Sequence, residues 1–525
     1  MRTCYNDTMI LRYRLLVIAV ALACAVLSRA TLAGETTINV VADQLRLTFS
    51  TVGADLVRWQ ACHSRCADGN AKTTVFNDLK DPAQARLVAE NDTVLNARLA
   101  QLRYKSEQRQ TDSHHILRFT SEPLLPDVRL EKVYKISKQG YSMSLSIHVR
   151  GQGAEQFLAR NRLALHLNNG KAFMPPPAAG FAGAYERVRA VYFKDNDVLP
   201  LEIDEDDSAT ADIDANRWVG VRNRFWALLV RQNAPAQARL QKRKPGALAL
   251  AITTPSGADA LSYEFYGGPI EYDALQSHAM DLTKLLFSGL WVWMRAISLG
   301  LLFLLTALYS LVGNYGVAIA LLAVAVKILM WPLTKIADRW QQQVNETQSR
   351  LQPQIKEIKA SHKGAEQTER IVELYKQEHV HPLYALKSLF GFLIQIPIFI
   401  AAFYMLNENF GLSGVSLAWV DDLSKPDHLA RLPFQIPFFG GYLNLLPFIM
   451  TTVTLLASWL YDAPTLSAEL QRRQRLNLYI VAFVFFVLFY TFPAGMVFYW
   501  TCTNLIQFIK DQTFRQIRLR RSQAA

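Results

Sequence analysis

The sequence lacks the short motifs that mark most enzyme classes. No glycine-rich phosphate loop occurs among its 525 residues, and residues 36–280 contain neither a paired-histidine zinc motif nor a nucleophile motif. Cysteine is also scarce: of five cysteines, only Cys62 and Cys66 lie close together. They could form a local disulfide or remain free thiols, whereas zinc would need a set of ligands that the adjacent His63 does not complete. We therefore predict no enzyme, no cofactor and no metal site.

Long apolar runs are missing from residues 36–280 but frequent between 286 and 510. The chain as a whole is 51% hydrophobic, so this uneven distribution, rather than the total, indicates a soluble domain followed by a membrane domain. The net charge of +12 is typical of the positive-inside bias of membrane proteins. No basic patch interleaved with aromatic residues accompanies it, so we expect no DNA partner.

Residues 1–35 are predicted to form an export signal. Three arginines precede an apolar stretch of about 14 residues, LLVIAVALACAVLS, which Arg29 closes. The stretch is either a retained signal anchor or a signal peptide removed after Ala33, and we favour the retained anchor. In both cases the chain from residue 36 onward leaves the cytoplasm.

Residues 36–285 are predicted to form an all-β sandwich. Segments such as YSMSLSIHVR and ALALAITT alternate apolar and polar residues, and glycine, asparagine, aspartate and proline separate them. Such segments are typical of antiparallel strands packed in two layers. The acidic run at 202–207 and the pair His114–His115 are interpreted as surface features.

The apolar runs of the second half predict one surface helix and five spans. Residues 286–314 carry a narrow polar stripe and tryptophans near the start, a pattern typical of an amphipathic helix in the membrane interface. This placement also puts the basic loops on one side: residues 335–387 hold nine lysines and arginines, whereas 407–441 hold two against four acids. The predicted transmembrane helices are 315–334, 388–406, 443–460, 476–491 and 494–509.

Residues 335–387 are predicted to form a cytoplasmic helical hairpin. Apolar residues recur at helical spacing from Trp340 to Ile358 and resume at Ile371, with a turn at 362–364. The hairpin either contacts a partner or the membrane surface, or is a solvated spacer. The tail 510–525 holds five basic residues and one acid, so it could meet anionic lipid or ribosomal RNA, or only fix the topology.

Lys327 is the single charged residue inside the first span. A charge in the bilayer is costly, so it is either functional or able to reach the headgroups. Pro332 is about 7 Å further along the helix axis, a distance that a lysine side chain can bridge. The functional interpretation needs a hydrated cavity. Candidate polar residues from the other spans, none of them acidic, are Gln395, Thr452, Thr501, Thr503, Asn504 and Gln507.

Several short motifs, in their order and spacing, resemble the YidC family of membrane protein insertases. They cover about 290–515 and are WPLTK at 331–335, LQP at 351–353, LYK at 374–376, VHPL at 380–383, QIP at 395–397 and FPAG at 492–495, followed by Tyr499 and Asn504. The layout of an anchor and a large β-rich insert resembles the Gram-negative form, which has a large periplasmic domain.

This resemblance implies a membrane insertase and chaperone in which five core helices enclose a hydrophilic groove, open to the cytoplasm and to lipid. Lys327 matches the groove charge, which in the family is typically arginine, and Ala323 and Trp500 match other groove-lining positions. The LQP and LYK motifs identify four site residues on the cytoplasmic hairpin: Leu351, Pro353, Tyr375 and Lys376. The implied location is the bacterial inner membrane, with the C-terminus cytoplasmic. The implied partners are nascent membrane proteins, the lipid bilayer, the secretion translocon and the ribosome.

Two other functions are compatible with parts of the sequence. A channel or solute transporter would also need a polar cavity, although internal repeats and paired charges are missing. The segment Gly411-Leu412-Ser413-Gly414 is similar to an intramembrane serine protease motif. It lies in a hydrophilic loop, however, and the only later histidine, His428, is in the same loop. The sequence therefore favours the insertase.

Overall fold

The computed structural model describes residues 36–68, 72–81, 83–168, 173, 180, 186–202, 208–243, 247–254, 260–381, 386–460 and 468–524. The predicted export signal, 1–35, and residues 203–207 of the acidic run lie outside the described residues. A strand-rich first part, which we call the β-domain (36–285), is followed by a helical part. The predicted fold class is confirmed.

The described strands of the β-domain form three antiparallel sheets. The four-stranded sheet has the order β1-β2-β3-β4, the five-stranded sheet β13-β16-β17-β10-β5, and the nine-stranded sheet β12-β11-β14-β15-β18-β9-β8-β7-β6. The strands are β1 Thr37–Val41, β2 Leu45–Ser50, β3 Leu56–Cys62, β4 Thr73–Asn77, β5 Arg86–Ala89, β6 Tyr104–Gln110, β7 His114–Ser121, β8 Arg129–Ser137, β9 Ser142–Arg150, β10 Leu163–Asn168, β11 Arg189–Lys194, β12 Asp197–Pro200, β13 Ser208–Ile213, β14 Trp218–Arg222, β15 Trp226–Gln232, β16 Ala236–Arg243, β17 Ala247–Thr253 and β18 Ala260–Pro269.

Most helices belong to the second part of the chain. The described α-helices are α1 Thr93–Gln101, α2 Ala154–Arg160, α3 Tyr272–His278, α4 Val292–Val312, α5 Tyr315–Ser361, α6 Ala365–Gln377, α7 Leu386–Glu408, α8 Leu446–Trp459, α9 Ala468–Phe489 and α10 Ala494–Ala524. Short 3-10 helices occupy Met280–Leu285 and Phe410–Leu412, and a small hairpin, β19 Ala430–Ile436 with β20 Gly440–Leu443, precedes α8.

At strand β15 the nine-stranded sheet is buried on both faces. On β15, Leu228 and Val230 belong to a hydrophobic core shared with the other two sheets. The alternate residues Ala227 and Leu229 belong to a second core shared with the helical part. Because successive side chains of a strand point to opposite faces, one face of this sheet closes the sandwich and the other supports the helices.

Cys62 and Cys66 form a disulfide, the first of the two alternatives that the sequence left open. The loop that it closes carries His63, whose ring packs against Trp226 of β15 and Phe410 of the helical part, with centroids 4.8 and 5.4 Å apart. Burial lowers the pKa of His63, so this ring packs as a neutral group at neutral pH. The disulfide therefore lies where the β-domain meets the helices.

An ion pair is buried inside the sandwich. The ammonium of Lys132 on β8 donates to Oδ1 of Asp55 at 2.9 Å and to the carbonyl oxygen of Gly53 at 2.7 Å. Only 1% of the Lys132 side chain is exposed. Gly53 and Ala54 both have positive φ, 75° and 49°, so Lys132 also holds a strained turn in place.

Two described helices, α4 and α5, are long and apolar enough to cross a bilayer, and shorter apolar stretches are Leu393–Glu408 in α7 and all of α8. The four later predicted spans each overlap one helix, α7 to α10, and their passage through a membrane stays a prediction. So does the interfacial position of α4. Its polar stripe partly faces protein, because the Ser298 hydroxyl is buried and its hydrogen is shared between the carbonyl oxygens of Met294, at 3.1 Å, and of Ala401 on α7, at 3.2 Å.

The first predicted span and the first hairpin helix form a single helix. α5 runs for 47 residues through Pro332 and Pro353, and the side chain of Asn314 caps its first turn by accepting from the Val317 N–H. The sequence placed a boundary at 334 because the apolar run ends there. The change from apolar to polar residues at this point alters the surroundings of a helix but not its backbone hydrogen bonds, and each proline removes only one of those bonds.

α6 folds back along the end of α5. Gly364, with φ of 68°, makes the turn, and Leu374 of α6 is buried. Arg350 and Glu378 form an ion pair at 3.4 Å. The last turns of α5 also contact the start of α9 through Lys356 and Glu469. The first ion pair joins the two hairpin helices, and the second joins the hairpin to α9.

Candidate substrate groove

A narrow cavity lies between α5, α7 and α10. Its volume is about 50 Å³, room for a few water molecules. Five of the residues proposed from sequence line it, namely Ala323, Lys327, Gln395, Trp500 and Thr503. The other lining residues are mostly apolar: Val326, Met330, Thr334, Ala337, Ile394, Ile398, Phe399 and Tyr499. A client segment of any size therefore requires the helices to separate.

Lys327 is half-buried on α5 and faces α10. Its ammonium donates a hydrogen bond to Oε1 of Gln507 over 3.3 Å. The amide nitrogen of Gln507 donates in turn to both carboxylate oxygens of Asp511, at 3.0 and 3.2 Å. A hydrogen-bonded chain through Gln507 therefore links Lys327 to a carboxylate that lies outside the predicted spans.

The sequence analysis does not identify Asp511 as a site residue, because it treats residues 510–525 as a tail separate from the last span. In the structure α10 does not end near residue 509 but continues to Ala524. Thr503, Gln507 and Asp511 therefore follow one another at intervals of four along one helical face. This spacing was the signal in the sequence that could have identified Asp511.

Asn504 and Thr452 do not line the cavity, contrary to the prediction. The amide nitrogen of Asn504 donates to Oγ1 of Thr454 on α8 over 3.0 Å. Thr452 is exposed on the same helix. Residues two apart in a helix point about 200° apart, so only one of these two threonines can face α10. The apolar run predicts the position of the helix but not its rotation about its own axis.

An aromatic wall closes the cavity on the side where α7 and α9 approach each other. The ring of Trp500 lies 4.8 Å from Phe399 of α7, and 5.5 and 5.8 Å from Phe485 and Phe489 of α9, measured between centroids. Such ring pairs each contribute about 0.5–1.5 kcal/mol beyond the burial of their area. Trp500 is thus the central residue of the contact between these two helices.

The four predicted hairpin residues differ in their surroundings. Leu351 is fully buried and Tyr375 is half-buried, whereas Pro353 and Lys376 are exposed. Leu351 therefore stabilises the hairpin itself, and Pro353 and Lys376 lie on the surface that it offers to other molecules.

A buried arginine at the end of β14 joins the β-domain to α7. Nη1 of Arg222 donates to the carbonyl oxygen of Leu285 at 2.8 Å, and its Nη2 pairs with Oε2 of Glu408 at 3.2 Å. The sequence interpretation did not identify Arg222, because an arginine at the end of a strand carries no motif that names its partner.

Arg224, in the turn that follows, makes a second connection. Its Nε donates to the carbonyl oxygen of Asn407 at 2.6 Å and its Nη1 to that of Ser424 at 2.8 Å. Burial lowers the pKa of Arg224 to about 10, and the carboxylate of Glu186 opposes this shift. The guanidinium therefore stays charged at neutral pH and binds the backbone of the last turn of α7 and of the loop that follows.

Replacing Arg224 with alanine is expected to loosen the 407–424 segment. Hydrogen bonds from a charged donor contribute about 1.5–3 kcal/mol each, so amide exchange in this segment should accelerate by about tenfold or more. Hydrogen exchange followed by mass spectrometry measures this rate. Arg239→Ala, at an exposed position on β16, is the matched control. Unchanged exchange at 407–424 in the Arg224 variant would contradict the assigned role.

Models of two protein families match most of the chain. The model described as the 60Kd inner membrane protein matches residues 307–521, and that of the YidC periplasmic domain matches residues 37–299. The first contains the cavity and the hairpin. The second contains the sandwich and the arginines that join it to α7.

Relatives that match most of the chain are membrane protein insertases. The membrane protein insertase YidC of Nitrosomonas europaea is 26% identical over 496 residues, which cover 89% of this chain and 74% of the relative. That of Treponema denticola is 24% identical over 510 residues, covering 91% and 85%. A crystal structure of an active YidC insertase with its first transmembrane domain resolved has 17% identity and a TM-score of 0.35, covering 95% of this chain and 99% of that one.

These relatives favour an insertase over a channel or solute transporter. Because the periplasmic-domain model alone matches half of the chain and the second model covers the helical part, the chain belongs to the YidC family of membrane protein insertases, inner-membrane proteins with a periplasmic domain.

Proposed function

We propose that the cavity at Lys327 receives the hydrophilic part of a nascent membrane protein. The observation that carries this proposal is a half-buried ammonium among apolar side chains, at the meeting point of α5, α7 and α10. A buried charge is costly and is seldom retained without a function. Its field attracts a polar or acidic segment that has left water, and the side chains of Gln395 and Thr503 offer hydrogen bonds to that segment.

The apolar part of the client is proposed to enter lipid between α7 and α9. Opening this path requires separation of the rings around Trp500, because α7 and α9 meet there. Transfer of about 20 apolar residues from water to lipid supplies the driving force. No nucleotide and no covalent step is needed on this route, so the protein acts without enzyme chemistry.

The proposed topology has five crossings of the inner membrane. The first part of α5 and helices α7, α8, α9 and α10 span it, and α4 lies in the outer interface. The β-domain is periplasmic, whereas the hairpin of α5 and α6 and the C-terminal end of α10 are cytoplasmic. The bias of lysine and arginine toward residues 335–387 supports this orientation.

The cytoplasmic surfaces are proposed to contact the machinery that delivers clients. Pro353 and Lys376 are exposed on the hairpin, and the last part of α10 is rich in arginine. A basic helix end of this kind suits ribosomal RNA or anionic lipid. The ribosome and the secretion translocon are therefore the proposed partners besides the client and the bilayer.

Crosslinking from the cavity tests the proposed path. A photoreactive residue in place of Met330, which lines the cavity, is expected to crosslink a single-span nascent chain on stalled ribosomes. A probe at Ile328, 63% exposed and on the far side of the same helix, is the control at matched depth. Equal labelling from both positions would contradict a path through this cavity.

A reconstituted assay separates insertion from transport. The purified protein in liposomes is expected to make a small single-span client resistant to external protease. Solute flux without such insertion would overturn the proposal in favour of a channel.

A further inference from the structure

We propose that Asp511 is a built-in competitor for Lys327, so that an acidic client segment must displace it before pairing with the lysine. The inference rests on the proposed function of the cavity and specifies how that site selects clients. It predicts that the present sequence restrains, rather than maximises, the insertion of acidic segments.

The hydrogen bonds at the site show how the competitor reaches the lysine. Gln507 can accept from an ammonium only through its carbonyl oxygen and can donate to a carboxylate only through its NH2 group. Its amide does both, at 3.3 Å to Lys327 and at 3.0 and 3.2 Å to Asp511. One orientation of the Gln507 amide therefore satisfies the ammonium of Lys327 and the carboxylate of Asp511 together. A client carboxylate has to replace this arrangement.

The charged groups around the hydrogen-bonded chain from Lys327 to Asp511 cancel one another. A second pair, Lys510 of α10 and Asp338 of α5, lies at the same end of the cavity with its charged atoms 3.9 Å apart. Two lysines and two aspartates therefore face one another where α5 and α10 pack together. An approaching acidic segment meets a site without net formal charge, and its gain is the difference between the new ion pair and the Gln507-bridged contact of Lys327 with Asp511 that it breaks.

The position of Asp511 suits reversible competition. Asp511 is exposed on α10, four residues beyond Gln507 on the same helix face. An exposed carboxylate is readily rehydrated when it leaves its partner, so the cost of displacement is small. The competitor can therefore tune the choice of client without blocking the site.

The test uses Asp511→Asn, which keeps the size of the side chain and removes its charge. We expect insertion of a single-span client with an acidic tail to rise by about two- to fivefold, the range of a partly exposed ion pair, and that of a neutral-tailed client to stay unchanged. Gln507→Ala, which cuts the link but keeps the carboxylate, should raise acidic-tail insertion by a smaller factor. Glu346→Gln, an exposed acid on α5, controls for the loss of one negative charge.

The double variant Asp511→Asn with Lys327→Leu separates this inference from the proposed function. If Asp511 acts through the lysine, the gain disappears in the double variant. An unchanged ratio of acidic to neutral insertion in Asp511→Asn, or a gain that persists without the lysine, would overturn the inference. If Lys327→Leu alone leaves that ratio unchanged, the proposed role of the lysine fails instead.

Discussion

Replacing Lys132 with methionine is expected to lower the free energy of unfolding of the β-domain by about 3–5 kcal/mol, the usual cost of removing one partner of a buried ion pair. The variant leaves the buried Asp55 carboxylate with the longer contact to Nε of Arg86, at 3.8 Å, in place of the lysine, and also strips a donor from the Gly53 carbonyl. Denaturant unfolding of the full chain in detergent, followed by the β-sheet circular dichroism signal, measures the change.

A second lysine on the same strand, Lys135, provides the control for this variant. Lys135 is exposed three residues further on β8, so Lys135→Met should change stability by less than about 0.5 kcal/mol. Adding Asp55→Asn to Lys132→Met removes the buried negative charge and should recover part of the loss. Similar losses for Lys132→Met and Lys135→Met would show that the buried pair contributes little.

The loss in Lys132→Met should also depend on pH. Burial is the main cause that raises the pKa of Asp55, and the attraction of Lys132 opposes it. Without the lysine the folded state favours the protonated carboxyl still more. A folded pKa above the unfolded one means that stability falls as pH rises through the folded value. The variant should therefore be closest to the wild type in acid and furthest from it at neutral pH.

Lys327→Leu is expected to reduce insertion of acidic-tailed clients by about tenfold while changing neutral-tailed clients by less than about twofold. Two charges 4 Å apart at an effective dielectric constant near 20 attract by about 4 kcal/mol, of which desolvation removes a large part. About 1.4 kcal/mol of remaining selectivity suffices for the tenfold effect. Protease-protected insertion into liposomes, measured with two clients that differ only in the tail, tests this.

Two further substitutions define what the lysine contributes. Lys327→Arg keeps the charge and should retain insertion of both clients. Lys335→Leu removes an exposed charge two turns later on the same helix and should leave the ratio of the two clients unchanged. Equal activity of Lys327→Leu on both clients would instead identify the lysine as a residue that merely reaches the headgroups.

Helix positions could be predicted because apolar runs are a local property of the sequence. The run at 388–406 lies within α7, Leu386–Glu408, and the run at 494–509 begins where α10 begins. The ends of helices were harder to predict. α5 and α10 both continue far beyond their apolar runs, since backbone hydrogen bonding does not stop where hydrophobicity does.

The candidate site was predicted in its residue types but not in its pairing. Lys327, Gln395, Trp500 and Thr503 meet at one cavity. Thr452 does not, because the rotation of a helix about its axis depends on which neighbours it packs against. The partner of Lys327 and the docking role of Arg224 likewise depend on contacts between segments far apart in the sequence.

The continuity of α5 gives the hairpin mechanical leverage over the membrane core. From Pro332 to the end of the helix at Ser361 the axis measures about 44 Å, whereas Lys327 lies only about 7 Å on the other side of the proline. A tilt of about 10° around Pro332 would move the hairpin end by about 8 Å and the lysine by about 1 Å. A ribosome that displaces the hairpin would thus move Lys327 at the cavity over a shorter distance but with a larger force.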